Sequence, residues 1–202
     1  MSRLKVLILL GVALSVPSTT ILSARAEVMP VGNPSLRDEL LKMRELDQTY
    51  RQPGKPVDLQ KAAEIDDQNL GRIKEIIATF GYPTKSMVGR DGTRAAWLII
   101  QHADRDRAFQ LEILKTMERL LPAGEVFADQ YAYLFDRTHR PQRFGTQGRC
   151  IDQTTWQPLE IEDKGKVDQY RAEVGLPPLE EYVKKISEMA CQKLPSGLKA
   201  MK

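Results

Sequence analysis

The sequence predicts a mainly α fold: a single-domain, irregular bundle of about seven helices with one small β-hairpin. Three observations carry this. Apolar side chains recur at three- and four-residue spacing through most of the chain. Those runs are cut at Pro53, Gly81, Pro122 and Gly175, residues that stop or cannot continue a helix. One stretch departs from helical spacing: Arg149 to Ile161 gathers Cys150, Ile151, Thr154, Thr155, Trp156, Leu159 and Ile161, a β-branched and aromatic mixture suited to a pleated surface.

The elements follow in order. Ser35 can cap a first helix, with Asp38 at the capping-box position and Leu36, Leu40, Met43 and Leu46-Asp47 at helical spacing until Pro53-Gly54. Asp58 caps a longer helix carrying Ala62, Ile65, Leu70, Ile73, Ile76 and Ile77, ended by Gly81 and barred from resuming by Pro83. Tyr82 to Gly89 reads as a loop and Asp91-Gly92 as a turn. A short helix spans Ala95 to Ala103, and Asp104 or Asp106 caps the next, which runs to about Leu121. Pro122-Ala123-Gly124 precedes a helix over roughly Glu125 to Thr138, stopped at Arg140-Pro141. The hairpin turns near Asp152-Gln153-Thr154, and two last helices, Lys166 to Val174 and Pro178 to about Lys193, flank Gly175-Leu176-Pro177.

The N-terminus carries an address. Arg3 and Lys5 precede the apolar run Val6 to Val16, Pro17 breaks it, and Ala24-Arg25-Ala26 supplies the small residues a signal peptidase reads. That run is about half the roughly 20 residues a spanning helix needs. The expectation is therefore a signal peptide over residues 1–26, export to the periplasm or beyond, and a mature chain from Glu27 with no membrane span. Residues 27–34 and 195–202 read as flexible ends around a domain over 35–194. The leader takes three of the 30 basic residues with it and no acidic one, leaving 27 against 27. A neutral mature chain argues against a nucleic-acid partner.

Cys150 and Cys191 are the only cysteines. An even count in an oxidising compartment predicts one structural disulfide. It closes a loop of about 40 residues, worth roughly 4 kcal/mol in the chain-entropy account.

Three segments, Phe80-Gly81-Tyr82-Pro83-Thr84, Ala96 to Asp104 (containing Gln101-His102-Ala103-Asp104) and Gln142-Arg143-Phe144-Gly145-Thr146-Gln147, stand in an order that resembles an uncharacterised bacterial family. It is a domain of unknown function with G-[WY]-P-T, Q-H-A-D and [YF]-G-T-Q signatures. Tyr131 to Arg137 and Gly175 to Tyr182 fit the same pattern, so the likeness spans about Leu36 to Tyr182. It brings no activity with it, but it groups Gln101, His102, Asp104, Asp136, Arg137, Gln142, Arg143, Thr146 and Gln147.

Three functions are open to such a set. Gln101, His102, Arg143, Thr146 and Gln147 can line a pocket for a small polar or anionic ligand or a peptide fragment. His102 can act as the general base of a hydrolase, oriented by Asp104 or Asp136. Alternatively the polar residues are internal scaffolding of a structural or interaction domain. No metal or cofactor is expected: His102-Ala103-Asp104 and Asp136 with His139 lack a zinc signature. No G-x-S-x-G or S-x-x-K marks a serine nucleophile. Intact-mass measurement of exported protein tests the leader and the bridge together. The expected mass starts at Glu27 and rises by two hydrogens on reduction; a chain starting at Met1, or two free thiols, overturns one or the other.

Overall fold

In the computed structural model the described residues are 31–51 and 58–191. They form seven helices and a two-stranded antiparallel sheet: α1 Pro34–Thr49, α2 Leu59–Phe80, α3 Lys85–Gln101, α4 Arg107–Leu120, α5 Ala128–Thr138, β1 Gly148–Cys150, β2 Trp156–Pro158, α6 Val167–Glu173 and α7 Leu179–Ala190. The mainly α architecture with a single hairpin is the one the apolar spacing predicts. The leader, Pro53-Gly54 and the 195–202 tail lie outside the described residues.

Local differences have local causes. Asn33 rather than Ser35 caps α1: its side chain accepts from Leu36 N at 3.1 Å, and Pro34 takes the first helical position, where a missing N–H is no loss. The segment expected as a loop and turn over 82–92 is largely helix. Thr84 caps α3 by accepting from Met87 N, and the chain kinks at Gly89, whose φ of 72° favours glycine. The expected short helix Ala95 to Ala103 is the second half of α3. Glycine-rich sequence hid the first half, although Gly92 serves close packing there: a Cβ on it would lie 2.8 Å from Val88 Cβ. Asp106 caps α4, accepting from Phe109 N at 2.9 Å.

The large core gathers Leu36 and Leu40 of α1, Ile73 and Ile76 of α2, Ile99 and Ile100 of α3, Ile113 and Met117 of α4 and Leu134 of α5. Arg37 ties α1 to α3 by a two-pronged pair with Asp91, at 2.9 and 2.5 Å. A smaller core of Trp156, Tyr182 and Cys191 joins the hairpin to α7. Cys150 and Cys191 are disulfide-bonded there, and Trp156 N donates to Ser187 Oγ at 2.9 Å. Edge-to-face rings run from one core to the other: Trp97 to Tyr133 at 6.1 Å, Tyr133 to Tyr182 at 6.3 Å, and Tyr182 to Trp156 at 5.6 Å.

The hairpin leaves no room at Gly148, where an added Cβ would fall 2.3 Å from the Trp156 ring and 2.4 Å from Gln157 O. Gly148→Ala is therefore expected to destabilise by about 1–3 kcal/mol, the usual cost of overpacking. Thermal unfolding measures it. A midpoint matching the unsubstituted protein would mean the strand pairing is looser than this.

Candidate functional site

His102 follows the last turn of α3 as its C-cap. Its Nδ1 lies 2.7 Å from Oδ1 of Asp47, a residue of α1 that is fully buried. Asp47 continues the stripe of Leu36, Leu40 and Met43, so the spacing that buries those side chains buries a carboxylate too. Its charge is met on every side. Arg51 Nη1 donates to the same Oδ1 at 3.0 Å, and Gln48 Nε2 donates to Oδ2 at 2.6 Å. Arg51 then reaches α2, with Nη2 at 2.5 Å from Asp66 Oδ2. Among the described residues, Asp66 Oδ1 is buried without a hydrogen-bond partner, as is Nδ2 of Asn69, one turn further along α2.

Burial alone would push the Asp47 carboxyl up, but the bond and charge of His102, the amide of Gln48 and the charge of Arg51 outweigh it. The carboxyl stays below its usual range. An ionised carboxylate only accepts, so the proton of the shared bond sits on Nδ1, and a ring that carries no second proton then has its lone pair on Nε2. The imidazole is about one-fifth exposed. A groove of about 920 Å³ is lined by Leu41, Lys42, Glu45, Gln48, Thr49 and Leu98, among others; its walls do not include His102 and reach the cluster only through Gln48 and Leu98. Gln48 thus faces the groove and bonds Asp47, and Leu98 lies one turn before His102.

The second polar set has a different character. Asp136, fully buried on α5, accepts from Arg143 N at 2.9 Å, Phe144 N at 3.0 Å, Thr146 N at 2.8 Å and Thr146 Oγ1 at 2.9 Å. Gln142, also fully buried, donates from Nε2 to Gln147 O and Leu159 O and accepts from Gln147 N at 2.9 Å. Arg171 of α6 donates to Phe144 O and Pro177 O, both at 2.6 Å. The turn over 142–147 is held by its amides on one side and by its carbonyls on the other.

His102 and Arg143, expected in one pocket, have separate partners. Arg143 Nε donates to Glu162 at 2.6 Å, and its guanidinium lies over the Phe135 ring at 4.5 Å. It lines a cleft of about 330 Å³ with Leu114, Lys115, Tyr131 and His139, whose walls do not include His102. Asp104 pairs with Arg137, which also donates to Gln147 Oε1 at 3.3 Å. Gln101 is buried with Oε1 unpartnered among the described residues, and its carbonyl accepts from Gln110. His139 stacks on Phe135 at 4.2 Å. The carboxylate bonded to His102 is therefore Asp47, not Asp104 or Asp136. Asp47, Arg51 and Asp66 were missed by sequence reasoning, although a carboxylate on an apolar stripe, four residues before an arginine, was a readable signal.

A family model described as a family of unknown function, DUF6624, matches residues 34–194. No curated protein and no solved structure matches the chain.

The two polar sets predict different responses to mutation. Asp136→Asn turns an acceptor of four bonds into a group that must point an NH₂ at donors, costing about 3 kcal/mol and on the order of 10 °C in melting temperature. His102→Ala leaves Asp47 with Arg51 and Gln48, so its loss should be clearly smaller. Calorimetry on the two variants decides it; equal losses would make the His102 cluster as structural as the turn.

Proposed function

Because the chain belongs to the DUF6624 family, whose function is unknown, its own chemistry has to supply a reading, and we propose that it is a hydrolase working at His102. The carrying observation is the 2.7 Å bond from the imidazole to the buried Asp47 carboxylate. A histidine serving only the helix end would need no dedicated buried carboxylate, and a buried carboxylate carries a desolvation cost that an orienting role explains. In this reading Nε2 takes a proton from water as the oxygen attacks substrate. Asp47 holds the ring in the right tautomer and stabilises the imidazolium, and the same nitrogen returns the proton to the leaving group. Arg51 positions Asp47. The 920 Å³ groove beside Gln48 and Leu98 is the approach for substrate.

Within that scheme Asp136, Gln142, Thr146 and Gln147 are scaffold, as their mutual bonds suggest. A second reading, a domain that binds a small polar or anionic ligand, is favoured by Arg143, whose guanidinium lines its own cleft. Mass spectrometry of ligand retained by the purified protein, compared with Arg143→Lys, tests it. We also propose export: the Cys150–Cys191 bridge supports an oxidising compartment.

A panel of ester, amide and phosphoester substrates tests the hydrolase. His102→Ala should lower kcat/KM by about 10²–10⁴-fold, the span of general acid–base contributions, and Asp47→Asn should also lower it while the protein stays folded. Turnover that survives His102→Ala removes the reading.

A further inference from the structure

We infer that the Asp47–Asp66–His102 cluster is a binding site for one divalent transition-metal cation of the zinc class, which competes with the Arg51 guanidinium. The three side chains each offer a ligand atom, and these atoms all lie within 4.8 Å of one another. Nitrogen from one imidazole and oxygen from two carboxylates is a donor set zinc accepts, at about 2.0–2.2 Å. Ligands around a tetrahedral ion at that range sit roughly 3.4 Å apart, so small side-chain rotations close the set. The three come from α1, α2 and the end of α3, and a rigid scaffold therefore fixes them.

Two further observations point to a cation here. The first is charge. Asp47 and Asp66 are two carboxylates gathered around a single guanidinium, that of Arg51, so a divalent cation that displaces it meets two anionic oxygen donors. The second is Asp66 Oδ1, an oxygen closed to solvent and, among the described residues, without a hydrogen-bond donor. A substrate could not reach so enclosed an atom, whereas an ion seated among the ligands could.

Arg51 is the competitor. It donates to Asp47 Oδ1, which His102 already uses, and to Asp66 Oδ2. Its side chain is one-fifth exposed at the end of α1, so it can swing into solvent when the ion enters. The neutral ring has one lone pair, so a bound metal consumes it whichever nitrogen is used. The loaded form then has no base. Binding itself does not depend on the hydrolase reading: titration tests the site, turnover tests the enzyme, and either can fail alone.

The test is titration of the chelator-stripped, disulfide-intact protein with Co²⁺ followed by visible absorption, then Zn²⁺ competition. One ion per chain is expected. Asp66→Asn should weaken it at least tenfold, and Arg51→Gln should tighten it several-fold by removing the competitor. His102 and His139 are the only two histidines, so their ring resonances, distinguished with His139→Gln, give a readout without altering the cluster: Co²⁺ should shift His102 first. Absence of one-to-one binding, first shifts at His139, or weaker binding in a folded Arg51→Gln overturns the site.

Discussion

Asp136 holds the two parts of this molecule together. Its carboxylate sits at the end of α5, inside the large core, and takes three backbone amides and a hydroxyl from the turn that leads into the hairpin. Arg171, equally buried, takes the carbonyls of the same region from the α6 side. Neither has an ion-pair partner among the described residues: Asp136 is met by amides and the Thr146 hydroxyl, and Arg171 by two carbonyls and the face of the Tyr182 ring at 4.8 Å, its Nη2 being left without a hydrogen-bond partner there. Each of these bonds matters, because an unmade one leaves a buried polar group in a low dielectric. These bonds pin the turn, and through it the hairpin, α6 and α7 are aligned against the helices. Tyr182 OH, donating to Thr146 O at 3.2 Å, extends the arrangement to α7.

This explains why the polar residues grouped by sequence resemblance split into two jobs. Thr146, Gln147 and Gln142 cluster around Asp136 because the turn needs amide partners where helix geometry has ended. His102 stands apart because its partner comes from α1. The sequence made the helices, the hairpin and the disulfide legible, since spacing, breakers and cysteine count are local signals. It made the turn legible as a set of polar residues that included Asp136, but not the place of Asp136 at its centre, because a carboxylate near a helix end is ordinarily exposed.

The His102 cluster was the hardest to see for a plain reason: its bonds cross 55 residues from Asp47 and 15 more link Arg51 to Asp66. No local pattern reports such meetings. The clue that did exist was a conflict between levels, a carboxylate placed where Leu36, Leu40 and Met43 require an apolar side chain. Conflicts of that kind mark places where stability has been traded for something else. Asn69 on the buried face of α2 is a second one, and the two fall on helices that meet beside the same imidazole.

The division into two cores has a consequence for how the molecule loosens. The smaller core has few side chains and borrows its cohesion from the Cys150–Cys191 link and the ring of Tyr182. Native proteins open in cooperative units whose cost tracks the apolar contacts each contains. Reduction would thus make β1, β2 and α7 the first region to exchange its amide hydrogens, while α1, α2 and α3 remain protected around Asp47 and His102. Reductive stress strikes the far end of the chain first and spares the imidazole.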